Sequence, residues 1–143
     1  MARNFLNKSK LVKVADHTAD GTSDVTSSIV DTAGFDGVVF FTSLGTANAT
    51  NAIKVQQNTA NQTTGMADLA GTSVTSGSSD EDLIVEIHKP QERYLQVVVA
   101  RGASSTCESI WACLYNGTVS PSTSGVSGTA AAEMHISPAE GTA

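Results

Sequence analysis

Arg93-Tyr94-Leu95-Gln96-Val97-Val98-Val99-Ala100-Arg101 is the stretch on which the fold turns. Leu95, Val97 and Val99 share one face, with an arginine at either end, while Tyr94, Gln96, Val98 and Ala100 share the other. Residues two apart share a face only in an extended chain, and β-branched side chains suit a pleated surface. The run therefore predicts a strand. Gly102 to Thr106 then turns the chain, and Ile110, Ala112 and Leu114 oppose Cys107, Ser109, Trp111, Cys113 and Tyr115. A short polar loop with a glycine joins the two runs, so 93–101 and 107–115 are expected to pair as a hairpin. Which face of that hairpin points inward stays open. Both faces carry apolar residues, as expected where a hairpin meets another subunit or a large assembly.

Working outward, Val38-Val39-Phe40-Phe41 follows the turn at Gly34–Gly37 and is apolar throughout, the pattern of a central strand buried on both sides. Ile53, Val55 and Gln57 alternate with Lys54 and Gln56, which reads as a half-buried strand. Leu83, Val85 and Ile87 alternate with Ile84, Glu86 and His88 until Lys89-Pro90 ends the run. With weaker runs near 26–31 and 66–75, the chain holds seven or eight strands at turn-punctuated spacing. That density predicts an all-β domain, an antiparallel sandwich or barrel. Its core is expected at Val38, Phe40, Leu83, Val85, Ile87, Val97, Val99, Ile110 and Leu114. Three zones follow: a basic N-terminal arm at 1–25, a β-sandwich core at 26–116, and a Gly/Ser/Thr-rich tail at 117–143. The tail composition buries too little surface to fold alone, so it lies on a neighbour or stays mobile.

Composition agrees. A length of 143 residues suits one domain, and Gly, Ser and Thr fill about a third of it. Leu is sparse, which argues against a helical bundle. No run approaches the ~20 apolar residues of a transmembrane helix, so no membrane partner is expected. The net charge of −6 hides an asymmetry: Arg3, Lys8, Lys10 and Lys13 make the first 13 residues +4, and the remainder is −10. An acidic body tracks phosphates poorly, so nucleic acid is not expected as a partner. The basic arm has the charge to touch nucleic acid or an acidic protein surface; the plainer reading is a solvated terminus. MARNFLNKSK has no apolar h-region of a secretory signal, which leaves the Asn7, Asn48, Asn61 and Asn116 sequons as accidents of composition. On a single strand Cys107 and Cys113 would stand ~20 Å apart, too far to bridge unless the strand is broken between them. They read as buried free thiols.

Chemistry-bearing constellations are thin, and neither an enzyme nor a cofactor is expected. No G-x-S-x-G elbow is present, and His17, His88 and His135 lie in different zones without metal-ligand spacing. Asp16-x3-Asp20-Gly21-x2-Asp24 has the oxygen donors that calcium takes, but not the EF-hand spacing, and a solvated turn is the favoured reading. Asp80-Glu81-Asp82 reads as a charged loop. Gly34–Gly37 precedes a strand, where a phosphate cradle would open a helix. Trp111 and Tyr115 share a strand face, which allows a sugar platform, though packing in a core or interface fits so few aromatics better.

One resemblance extends this reading. In order, the chain carries Ser28-Ile29-Val30-Asp31-Thr32-Ala33-Gly34-Phe35-Asp36-Gly37-Val38-Val39-Phe40, the strand Ile53 to Gln57, and Met66-Ala67-Asp68-Leu69-Ala70-Gly71-Thr72. Asp82-Leu83-Ile84-Val85-Glu86-Ile87-His88-Lys89-Pro90, the stretch Arg93 to Gly102, and the ending Ser137-Pro138-Ala139-Glu140-Gly141-Thr142-Ala143 follow. Over about two-thirds of its length the chain resembles head decoration (capsid cement) proteins of tailed bacteriophages. The resemblance implies a jelly-roll-like sandwich on the virion capsid exterior, made in the host cytoplasm, with the major capsid protein as partner and a homotrimer as assembly. It implies no catalytic residue. The contact candidates are Arg3, Lys8, Lys10 and Lys13 of the arm with Trp111 and Tyr115. Two other readings stay open: another virion component (tail, neck or fibre base), and a carbohydrate-binding sandwich for host attachment.

Overall fold

Period-two burial runs through residues 37–44, 51–56 and 82–88 of the computed structural model, which describes residues 5–118 and 126–127, while 95–99 is buried on both faces. After one helical turn, α1 (Phe5–Lys8), come β1 (Lys10–Ala15), β2 (Thr18–Gly21), β3 (Val25–Thr26), β4 (Val30–Asp31) and β5 (Gly37–Leu44). Then follow β6 (Asn48–Asn58), β7 (Ala67–Asp68), β8 (Val74–Ser76), β9 (Glu81–His88) and β10 (Tyr94–Arg101). β11 (Ser105–Cys107), β12 (Ile110–Tyr115) and β13 (Val126–Ser127) complete the series.

These segments form two sheets that pack face to face as a mostly antiparallel β-sandwich. In the first sheet β1 and β2 form one interrupted line against the interrupted line β12 and β11, which lies on β5, and β5 lies on β9. In the second, β3 and β4 follow one another end to end along one edge of β10, β10 lies on β6, and β6 on β7 and β8. The inner faces supply the core: Val38, Phe40, Leu44, Leu83, Val85, Ile110, Ala112 and Leu114 from one sheet, and Ile53, Val55, Leu95, Val97 and Val99 from the other. Every expected core position is buried except Ile87, which is half-buried and packs against the cluster. Each large apolar side chain so buried is worth about 1.5–3 kcal/mol against its exposed state.

The structure corrects four expectations. The 93–101 and 107–115 runs do not pair as a hairpin; β10 and β12 belong to opposite sheets. Leu95, Val97 and Val99 face Ile110, Ala112 and Leu114 across the sandwich, so each set buries the other, which a single layer would not allow. The crossing is held at Arg101 and Gly102. Arg101 donates to the carbonyl of Ser105 at 2.7 Å, and a side chain at Gly102 would collide with Thr50. Second, Lys10 to Val25, expected in a free arm, lies largely within the sheets: β1 pairs with β12 and β2 with β11. Apolar Leu11-Val12 and Val14 on alternate faces suffice for a sheet strand despite the basic neighbours. Third, β5 is fully buried on one face only, because Val39 and Phe41 of the other are half-buried. Fourth, Glu108 and Ser109 break the strand between the cysteines. Cys107 enters the core while Cys113 sits on the opposite face, and both are free and buried. In the tail zone, Val126–Ser127 pairs in parallel with Leu11 and Val12; most of 117–143, with His135, lies outside the described residues.

Candidate interaction surface

The outer face of the first sheet is where chemistry and exposure meet. Antiparallel register sets Lys13, Trp111, Phe41 and Ile84 side by side across four strands. The next row is Leu11, Cys113, Val39 and Glu86, and the one beyond runs Tyr115, Gly37 and His88. Side chains directly opposite in such pairs contact each other, so Trp111, Phe41 and Ile84 make a continuous apolar band. Ile84 is 60 % exposed, although its strand places it on the same face as Glu86 and His88.

At one end of the band a groove of about 380 Å³ opens between β5, β9 and β12. Phe41, Ile84 and Trp111 supply its apolar surface, Asp82 and Glu108 bring carboxylates, and Ser43 and Ser109 bring hydroxyls. Glu108 also meets His17, whose Nδ1 lies 3.2 Å from its carboxylate.

At the other end lies a small polar cluster. Gly37 has no side chain, so Tyr115 leans across β5 and donates its hydroxyl to Glu86. Any β-carbon at Gly37 would strike the Tyr115 ring and stand 2.7 Å from the carbonyl oxygen of Ile87. His88 Nδ1 lies 3.0 Å from the Tyr115 hydroxyl, and the two rings are parallel with centroids 6.2 Å apart. Desolvation, then the hydrogen bond and charge of Glu86, push the Tyr115 phenol up to about 12. The phenol holds its proton through the physiological range.

The structure thus brings Trp111, Tyr115 and Lys13 onto one face but disperses the other expected cations. Lys13 is ion-paired with Asp16 at 2.7 Å, Lys10 is half-buried in β1, and Lys8 is exposed on α1. Arg3 lies outside the described residues. The Asp16, Asp20 and Asp24 set is spread along a chain that includes β2, with Asp16 turned to Lys13. Among the described residues no group of three His, Cys, Asp or Glu is placed to hold a metal ion.

Residues 19–23 instead wrap a buried cation. Arg101, 3 % exposed, donates from Nε to the Ser23 carbonyl at 2.7 Å and from Nη1 to the carbonyls of Ala19 at 2.8 Å and Ser105 at 2.7 Å. Sequence reasoning placed Arg101 merely at a strand end. It also passed over Phe41 and Ile84 as surface residues, although Ile84 on the polar face of an alternating strand was a readable signal. Comparison of the chain with protein-family models, curated proteins and solved structures finds no match.

Proposed function

We propose that this chain is a non-enzymatic virion structural protein, a decoration or cement protein that binds the outside of a bacteriophage capsid and stabilises its lattice. We also infer that its sandwich is a jelly roll. The observation that carries both is the strand order. Taken as lines, β1–β2 pairs with β11–β12, β3–β4 with β10, β5 with β9, and β6 with β7–β8. Each pair encloses the next, so the chain runs as one long folded-back ribbon wrapped into two sheets. Jelly rolls of this kind recur in viral capsid and lectin domains. The order of motifs from Ser28 to Gly102 supports the capsid assignment, as does an outer sheet face with an apolar band that a partner surface would cover. The proposed partners are the major capsid protein and further copies of this chain, as a homotrimer, with many modest contacts adding through the lattice.

Cryo-electron microscopy of phage heads carrying and lacking the protein tests the reading. The expected result is ordered density on the head exterior and rupture of deficient heads at lower temperature. Density at the tail, neck or fibre base, or equal rupture behaviour, overturns it. A second reading rests on the groove, where Trp111 lies with two carboxylates and two hydroxyls: a lectin-like sugar site. That reading requires a glycan-array signal that Trp111→Ala abolishes.

A further inference from the structure

We infer that the Phe41–Ile84–Trp111 groove seats the Phe5 segment of a second copy of this chain, making a head-to-tail contact. Among the described residues the exposed large hydrophobic side chains are Phe5, at 61 %, and Ile84, at 60 %. They sit in opposite electrostatic settings. Lys8, three residues from Phe5 on α1, is exposed, and the first 13 residues of the sequence contain no acid. Ile84 borders a groove whose charged residues are Asp82 and Glu108, on a body of −10. An exposed aromatic with Lys8 on its helix and an apolar trough bordered by the carboxylates of Asp82 and Glu108 are complementary in sign.

The contact cannot close within one molecule as it stands. α1 is tied at the end of the sheet beyond Tyr115, where the Gly117 amide donates to the Lys8 carbonyl at 2.7 Å. The groove lies at the other end, around Glu108, Ser109 and Trp111, and Phe5 does not line it. Donor segment and acceptor groove are different patches, so the contact is heterologous. Such contacts close into a ring when the rotation per subunit allows, and otherwise run on as a filament. A volume of about 380 Å³ takes one aromatic side chain with its backbone neighbours. The inference shares the apolar band with the capsid reading but needs no capsid, since its test reads self-association of the free chain.

Sedimentation velocity on the full chain, with Phe5→Ser and Ile84→Asp variants, tests it. The wild type is expected to associate with concentration, and more weakly in about 1 M salt than in 0.1 M. Each variant alone is expected to lose association by roughly ten- to hundredfold, the range for removing one buried aromatic or aliphatic side chain, with an unchanged melting temperature. Ile84→Thr, which keeps strand propensity, serves if Ile84→Asp does not fold. The decisive sample is an equimolar mixture of the two variants. One retains an intact groove and the other an intact arm, so the mixture forms a one-to-one dimer and stops there. A wild type that stays monomeric at about 1 mM overturns the inference, as do variants that associate like wild type or a mixture that remains monomeric. A glycan that binds the wild type and Phe5→Ser but not Trp111→Ala also overturns it, assigning the groove to a sugar.

Discussion

Replacing Arg101 by Met keeps the apolar stem of the side chain and deletes its three hydrogen bonds to the Ala19, Ser23 and Ser105 carbonyls. Bonds from a charged donor are worth about 1.5–3 kcal/mol each, so simple addition gives at least ~4.5 kcal/mol. The acceptors do not lose equally. Ala19 and Ser23 are exposed residues whose carbonyls recover water, whereas Ser105 is fully buried and its carbonyl is stranded. Removing the cation also relieves the cost of burying it. The net expectation is about 3 kcal/mol of destabilisation. With a urea slope of about 1.5 kcal/mol per molar, the midpoint moves down by about 2 M. Arg101→Lys is expected to lose nearly as much, because a single ammonium cannot reach three carbonyls spread over two segments as the guanidinium fork does. Urea titration followed by Trp111 fluorescence reads the midpoint. A shift below about 0.3 M in Arg101→Met would refute the assignment of this guanidinium as the clamp joining the 19–23 segment to the β10–β11 crossing.

Other outcomes follow from the same geometry. Tyrosine ionisation followed by absorbance should show a late phase near 12 that Tyr115→Phe removes and Glu86→Gln moves toward the ordinary tyrosine value. Because folding favours the protonated phenol, its stabilisation is whole below about 10 and disappears as pH rises toward 12; a pH-independent stability there contradicts the cluster. At the acid end, the Arg93 hydrogen bonds at 2.7 Å hold the Asp31 carboxyl below its usual range. That contribution is present above the unfolded carboxylate pKa and is lost as pH falls through the lower folded one, so Asp31→Asn should flatten the acid limb of stability slightly, the pair being exposed. Burial raises both thiols, so Cys107 and Cys113 should react with a disulfide reagent only at the rate of unfolding; immediate reaction of either would count against the packing. Deleting residues 1–13 should lower the melting temperature by about 4–8 °C or more, since it removes most of β1; an unchanged value would mean that the strand is dispensable.

The long strands were legible because alternation is a local signal: Leu83, Val85 and Ile87 against Ile84, Glu86 and His88 need no knowledge of the rest of the chain. Pairing was not legible, since β1 meets β12 and β5 meets β9 across long separations, and the short Gly-containing loop after Arg101 suits a hairpin as well as it suits a crossing. Arg101 misled for a related reason. A charged residue next to glycine reads as the end of a strand, and only the fold supplies three carbonyls to bury it. The interaction surface was half visible: Trp111 and Tyr115 share a face by spacing alone. Their neighbours Phe41 and Ile84 join them through register, which spacing within one strand does not encode.

The enclosing order of strand pairs also sets a timetable for the nascent chain. β6 finds β7 and β8 within a few tens of residues, so this innermost hairpin closes while translation is still under way. β5 waits for β9, β3 and β4 wait for β10, and Lys10 at the outside waits for Leu114. A ribosome adding ~5–20 residues per second therefore holds β1 unpaired for several seconds. Closing such distant ends is slow even in the free chain, on the millisecond-to-second scale of sandwiches rather than that of helical bundles. A product that stops before residue 105 leaves β1 and β2 without their partner line and one edge of β5 open to aggregation.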